Sequence, residues 1–144
     1  MTVNTNPTKS KIINAALVAG GITAASNIAA YFIARASNVS LLVAIPPGSP
    51  TMQALPLTAV VLASIVPAFV GAAVLAILRR FAPRADLIFQ ILSAIIVVVS
   101  LGGPLRQPTD DATKFVLNLM HVLAGGIIVY GLTRPVTRPA TQAA

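Results

Sequence analysis

The single histidine of this sequence, His121, is the residue whose chemistry most needs an explanation. It lies in an uncharged apolar run, about 16 Å along a helix from Asp110, which places it near the middle of a bilayer if the run spans one. An imidazole there needs a hydrogen-bond partner, because an unpaired polar group in hydrocarbon is costly. An ionisable residue inside a membrane is by default a functional candidate.

Polar residues at suitable positions form a candidate intramembrane site around His121. Asn118 precedes it by one helical turn, and Asn27 and Ser64 in earlier apolar runs could reach it from other helices. One interpretation is a structural bond between helices, worth about 0.6 to 2 kcal/mol, with a neutral imidazole. The other is a proton relay or ligand site. We favour the structural interpretation and keep the functional one open.

The adjacent acids Asp110 and Asp111 precede the last apolar run, where they are expected to cap a helix. The chain has no glutamate, and His121 lies half a span away, so these residues form neither a closed metal site nor a catalytic triad. The absence of cysteine excludes thiolate chemistry and cysteine-bound metals. We therefore expect no catalytic residue, no metal and no cofactor; a haem held by two histidines would need a second histidine from another chain.

Composition indicates the elements that must position these residues. Of 144 residues, 56% are hydrophobic and 9% are charged, whereas soluble domains carry about 25% charged residues. Charged residues are absent from four runs, at 12–34, 55–78, 87–105 and 115–133. Because about 20 apolar helical residues cross a bilayer, the sequence predicts an all-α membrane protein, a bundle of four transmembrane helices.

The predicted spans are 12–34, 56–78, 86–102 and 112–133, within a single domain of residues 1–144. Residues 1–10 and 135–144 are expected to be flexible tails. The first run is too long for the apolar part of a secretory signal, which is about 7 to 15 residues. Pro67 predicts a kink in the second span, and Gly102-Gly103-Pro104 is expected to end the third.

Basic residues predict the orientation. One side of the predicted membrane collects seven of them, at Lys9, Lys11, Arg79, Arg80, Arg84, Arg134 and Arg138. The other side collects three, at Arg35, Arg106 and Lys114. The positive-inside rule then places both termini in the cytoplasm, and it explains the net charge of +7 without a nucleic-acid partner. Arg79, Arg80 and Arg84 form a cluster that could contact anionic lipid headgroups.

The external loop, residues 36–55, contains no charged residue. Residues 40–45 are strand-like, 46–50 have turn chemistry, and 51–55 could return as a second strand. The loop thus predicts a short extracytoplasmic β-hairpin between the first two helices. Because an isolated hairpin is marginal, we expect it to pack on an apolar surface.

Small residues recur at intervals of four, as in Ala16, Gly20 and Ala24 of the first run and Ala63, Pro67 and Gly71 of the second. Such rows allow helices to approach closely. Packing within the bundle is favoured over a dimer contact, because four spans must first cover one another. A membrane protein partner or a homo-oligomer remains an alternative.

Several segments together resemble a family of small bacterial four-span membrane proteins known only as a domain of unknown function. They are the small-residue stretch 15–30, the strand-and-turn stretch 39–57, the turn 78–83 and the sequence Leu117-Asn118-Leu119-Met120-His121-Val122. The resemblance covers about residues 11–134. It implies a multi-pass protein of a bacterial inner (plasma) membrane, and it implies no activity and no site.

Three functions fit these observations. The first is a noncatalytic bundle, either structural, dependent on a partner, or binding a small ligand, and we favour it because no catalytic group is evident. The second is a small proton-linked transporter or channel that uses His121, whose unperturbed pKa lies near physiological pH. The third is a membrane redox or enzyme subunit. The sequence alone leaves the choice among them open, although an enzyme is disfavoured.

Overall fold

The computed structural model describes residues 7–46 and 48–134. Their elements, in chain order, are α1 (Pro7–Ala36), β1 (Leu42–Ala44), β2 (Met52–Ala54), α2 (Leu57–Phe81), α3 (Ala85–Ser100), α4 (Gly102–Leu105) and α5 (Asp111–Thr133). Within this part of the chain, four helices are long and apolar enough to cross a membrane: α1, α2, α3 extended through α4, and α5. The predicted all-α bundle with a hairpin-like loop is confirmed.

Successive spans run in opposite directions, which gives the bundle two different ends. At the termini end, the start of α1 and the end of α5 lie near the turn between α2 and α3, where Arg79 and Asp86 form a salt bridge of 2.8 Å. At the hairpin end, β1 and β2 lie near the start of α5. The order around the bundle is α2, α1, α5, α3, because α1 packs against α2 and α5 while α3 closes the ring.

α1 contacts its two neighbours through residues that have almost no side chain. A Cβ added at Gly20 would lie 3.3 Å from Ala68 of α2, and one added at Gly131 of α5 would lie 2.9 Å from Ala19 of α1. Ala16, Ala19 and Ala68 are buried. Since lipid supplies little hydrophobic force between helices, close backbone approach provides the packing that joins them.

α3 packs less completely than the other spans. Its buried residues are Ala85 and Phe89, at the termini end, and Phe89 joins a cluster with Leu75, Ile128 and Leu132. Beyond this point every residue of α3 is exposed or half-buried. Gly125 of α5 admits Val97 of α3, since a Cβ at Gly125 would overlap the Val97 side chain. α3 is therefore held at its first turns and at one close contact.

The helix limits differ from the expected ones most clearly in two places. α1 begins at Pro7, so residues 7–10, expected in a flexible tail, are helical; residues 1–6 and the expected tail 135–144 lie outside the described residues. Gly102-Gly103-Pro104 forms the short helix α4 where a stop was expected. Proline is compatible with a first helical turn, because the N–H it lacks has no partner there. α2 continues as one helix through Pro67.

The two strands form an antiparallel hairpin in which Val43 pairs with Gln53. Leu41, Val43 and Ala44 are buried, whereas Leu42 between them is exposed. These buried positions are apolar, which agrees with a loop that carries no charged residue. Hydrogen bonds from residues 40, 41 and 44 attach the hairpin to residues 107–113, and its packing on an apolar surface stays a prediction.

The tight contact at Gly131 predicts that added volume there destabilises the bundle. Gly131→Leu should lower the free energy of unfolding by about 1 to 3 kcal/mol, because the new side chain must displace α1 at Ala19. Gly21→Leu is the matched control, since a Cβ added at Gly21 would have no atom of the described residues within 4 Å. Thermal unfolding of both variants in one detergent measures the difference. Equal Tm values would contradict close packing at Gly131.

Candidate functional site

An apolar cavity of about 600 Å³ lies among α2, α3 and α5. It is large enough for a small molecule, since ligand pockets occupy about 300 to 1,000 Å³. Its walls come from one face of each helix, and apart from a few polar side chains they are aliphatic or aromatic. The residues that bear on the site's chemistry are Asn27, Ala63, Pro67, Ser93, Ser100 and His121.

The cavity is elongated along the bundle. On α2 its lining runs from Ala59 to Val74, which is about 22 Å of helix, and on α3 from Phe89 to Ser100, which is about 16 Å. Leu55, next to the hairpin, lines the end of the cavity that is nearer the hairpin. Leu92 and Ile96 of α3 line the cavity and are themselves exposed, so the cavity is not closed at α3. The shape suits a long, narrow molecule.

His121 lines this cavity halfway along α5, and its side chain is exposed. Its Nδ1 lies 2.7 Å from the backbone carbonyl oxygen of Leu117. A carbonyl oxygen only accepts hydrogen bonds, so Nδ1 must carry the proton. In the neutral imidazole, Nε2 is then an acceptor directed away from that bond. His121 consequently satisfies one nitrogen on its own helix, and it can receive a hydrogen bond from a molecule in the cavity.

Asn27 and Ser64 form a buried bond between α1 and α2. The Asn27 Nδ2 donates to Ser64 Oγ over 3.0 Å, and Ser64 donates in turn to the Val60 carbonyl at 2.7 Å. Since the hydroxyl proton is used there, Ser64 must accept from Asn27, which fixes the orientation of the amide. Asn27 Oδ1 is buried and has no hydrogen-bond partner among the described residues. This bond joins α1 to α2 and leaves one acceptor unsatisfied.

The four residues of the predicted polar site are therefore not one cluster. Asn27 and Ser64 bond to each other, while His121 bonds to its own helix. Asn118 is half-buried, and its Oδ1 has no hydrogen-bond partner in the described part of the chain. Asn27 and His121 do share the cavity wall. A bond between His121 and Ser64, one of the expected possibilities, is absent among the described residues.

A backbone acceptor adds to the cavity wall at Pro67. Proline has no N–H, so the carbonyl of Ala63 lacks the donor that residue 67 would otherwise supply within α2. Both residues line the cavity. In a bilayer such a carbonyl is tolerated where it faces a neighbouring helix, a water or a ligand. The lining residues therefore include Ala63, whose carbonyl lacks its usual donor, and His121, whose Nε2 is an acceptor, in a mainly apolar surface.

At the hairpin end, Asp110 joins the hairpin to α5. It is the N-cap of α5 and accepts the N–H of Thr113 at 2.7 Å and the Thr113 hydroxyl at 2.8 Å. It also accepts the hydroxyl of Ser40, and Thr113 Oγ1 accepts the N–H of Leu41 at 3.1 Å. Asp111 lies inside the first turn of α5 and pairs with Lys114 at 3.3 Å. Asp110 alone provides the cap.

Hydrogen bonds favour the ionised form of the Asp110 carboxylate. The Ser40 hydroxyl, followed by the N–H and hydroxyl of Thr113, lowers the pKa of Asp110 from 3.8 to about 2. Each bond stabilises the charged form, because an ionised carboxylate is a stronger acceptor than a neutral one.

A second link between hairpin and bundle is the bond from the Ala44 N–H to Gln107 Oε1, at 3.0 Å. Ser40, Thr113 and Gln107 were not identified from sequence, because their partners lie 63 or more residues away.

The arginine cluster lies at the termini end, and its members differ. Arg79 forms the salt bridge with Asp86, Arg80 lies 5.6 Å from the Phe81 ring centroid, and Arg84 precedes α3 as its N-cap residue without a side-chain cap bond. All three are exposed. Within the described residues, no group of three His, Cys, Asp or Glu side chains is placed to hold a metal ion.

The pKa of Asp110 tests the link between hairpin and α5. Ser40→Ala should raise that pKa from about 2 toward 3.8, as the largest stabilising contact is removed. Because the folded-state pKa lies below the unfolded one, the cap's full contribution to stability is present above about pH 4 and is lost as the pH falls toward 2. The measurement is an NMR titration of the aspartate carboxyl carbon. Ser37→Ala is the control, and a pKa unchanged in Ser40→Ala would contradict the contact.

The comparisons with known proteins give a family and no function. No curated protein and no solved structure matches the chain. The model of a family of unknown function, DUF6069, matches residues 7–138, which include all four membrane-length helices and the hairpin. The expected resemblance to a domain of unknown function is thereby confirmed, and the chain belongs to the DUF6069 family.

Proposed function

We propose that the protein is a noncatalytic membrane bundle that binds an elongated lipophilic small molecule in the cavity among α2, α3 and α5. The observation that carries this proposal is the cavity itself, with about 600 Å³ of space inside a bundle of only four spans. A bundle whose role was packing alone would gain van der Waals contacts by filling that space. The open side along α3 offers such a molecule a route from the bilayer.

The chemistry of the wall supports a ligand with an apolar body and a hydrogen-bond donor. Most of the lining is aliphatic, and it extends about 16 to 22 Å along the helices. His121 Nε2 and the Ala63 carbonyl both accept hydrogen bonds. A hydroxyl group on a long hydrocarbon chain would match this arrangement, so the proposed ligand class is a long-chain or isoprenoid alcohol.

Ligand binding is supported over proton-linked transport by the residues that line the cavity. Among the described residues there, His121 is the one titratable group, and its Nδ1 is bonded to Leu117. A relay needs successive groups that exchange protons, whereas a binding site needs only one positioned acceptor in an apolar wall. The geometry therefore fits a ligand contact better than a relay, and it gives His121 a role other than the expected bond between helices.

The same proposal includes an orientation with both termini in the cytoplasm and the hairpin outside. Among the basic residues whose side chains are described, Lys11, Arg79, Arg80, Arg84 and Arg134 lie at the termini end, and Arg35, Arg106 and Lys114 lie at the hairpin end. The excess at the termini end supports this orientation by the positive-inside rule. A bacterial inner (plasma) membrane is the proposed location.

Cavity filling tests the ligand site. Purified protein in mild detergent is mixed with hexadecanol, and the bound fraction is measured by native mass spectrometry. Ala124→Phe, on the cavity wall, should abolish binding, and His121→Leu, which has no acceptor, should weaken it about fivefold through the loss of one hydrogen bond. Ala94→Phe, an exposed position on α3 outside the lining, is the size-matched control. Equal binding by Ala124→Phe and Ala94→Phe would refute the site.

Cysteine labelling tests the orientation, because the chain contains no cysteine of its own. We expect Ser49→Cys in the hairpin to react with a membrane-impermeant maleimide in intact spheroplasts of a bacterial host. Pro83→Cys, in the exposed turn between α2 and α3, should react only after the membrane is permeabilised. The reverse pattern would place the termini outside.

A further inference from the structure

A second groove, the α1–α5 groove, lies on a different face of the bundle from the central cavity. It has a volume of about 710 Å³ and is bordered by α1 and α5 alone. Its floor is made by small residues, among them Ala19 and Gly131, whose contact brings the two helices together. At Gly126, no atom of the described residues lies within 4 Å of where a Cβ would stand. Because glycine has no side chain, the surface beside Gly126 is left as an apolar channel that faces the membrane.

One end of this groove is basic. Lys11 of α1 and Arg134 at the end of α5 both line it, at the termini end of the bundle. The Arg134 guanidinium lies 3.9 Å from the ring centroid of Tyr130, another lining residue, which holds the charge beside the groove. The apolar channel therefore ends at two cations, with Asn14 beside them as a further polar group.

Within residues 7–46 and 48–134, no Asp or Glu side chain forms a salt bridge with these two cations. The three acidic residues of the sequence are Asp86, Asp110 and Asp111. Asp86 is bonded to Arg79, whereas Asp110 and Asp111 lie at the hairpin end, where they contact Thr113 and Lys114. The counter-charge for Lys11 and Arg134 must therefore come from outside the described residues, and the channel beside them is apolar.

The dimensions of the groove match one leaflet of a bilayer. From Lys11 to Ile22 the lining extends along α1 by about 16 Å, and from Arg134 to Gly126 along α5 by about 12 Å. Half of a hydrocarbon core of about 30 Å is about 15 Å. With the cations at headgroup level, the channel extends inward to about the depth that an acyl chain occupies.

We propose that the α1–α5 groove binds one anionic phospholipid from the leaflet at the termini end. Lys11 and Arg134 contact the phosphate and the acidic headgroup, and one acyl chain lies over Ala19 and Gly126. The basic end complements the negative charge of the headgroup, and the apolar channel has the length of one leaflet. Together these two features select an anionic phospholipid. The site is separate from the central cavity, so the result for one does not determine the result for the other.

The test compares phosphatidylglycerol with phosphatidylcholine of the same acyl chains, titrated into the detergent-solubilised protein and counted by native mass spectrometry. The wild-type protein should bind one phosphatidylglycerol in preference to phosphatidylcholine. In the double variant Lys11→Ala/Arg134→Ala that preference should fall about thirtyfold, since each basic residue near the surface contributes about a factor of five. Arg80→Ala/Arg84→Ala removes two charges from the same end but outside the groove, and it should keep the preference.

A second variant tests the channel separately from the charges. Gly126→Leu fills the α1–α5 groove and should weaken binding of both lipids, although both cations remain. Gly21→Leu, which lines neither the α1–α5 groove nor the central cavity, is its control. Tm values confirm that each variant is folded. An equal loss of preference in Arg80→Ala/Arg84→Ala would show general surface attraction and overturn the proposal. It would also be overturned if the wild-type protein were a dimer that Gly126→Leu dissociates, because a second copy would then occupy the groove.

Discussion

Close approach of α1 to α2 and α5 is the constraint on which the remainder of the structure depends. In a bilayer the lipid tails are as apolar as the helix surfaces, so helices remain together where their atoms interlock. Gly20 against Ala68 and Gly131 against Ala19 provide that interlocking, and the buried bond from Asn27 to Ser64 adds a polar link between α1 and α2. These three helices form a frame, and α3 completes the ring with fewer contacts.

The central cavity follows from that unequal packing. α3 buries only Ala85 and Phe89, both in its first turns, whereas Ile95, Val98 and Val99 farther along are exposed. Between these exposed residues, Val97 approaches α5 closely at Gly125. Elsewhere the gap between α3 and the frame remains open, and His121 and Pro67 place hydrogen-bond acceptors on its wall. Packing and polarity thus create a cavity and give it a chemical preference.

The sequence was a sufficient guide to the helices and an incomplete guide to their contacts. Uncharged runs identified the spans, because length and apolarity are local properties, and Asp110 was recognised as a cap from its position before an apolar run. Contacts between distant residues were not predictable in the same way. Ser64 was one of several possible partners for His121, but it bonds to Asn27, and His121 bonds within its own helix. The cavity depends on the spacing between helices, which hydropathy does not encode.

The attachment of the hairpin to α5 has a consequence for the order of assembly during synthesis. Ser40 and Asp110 are separated by 70 positions in the chain, and Leu41 and Thr113 by 72. These bonds cannot form until the ribosome has synthesised the beginning of α5, by which time the residues of α1, α2 and α3 have already been made. The Asp110 contacts therefore close a long loop late in biogenesis. By then the helices already inserted in the membrane have reduced the entropic cost of closing that loop. A nascent chain that ends before residue 110 contains the hairpin sequence without this anchor.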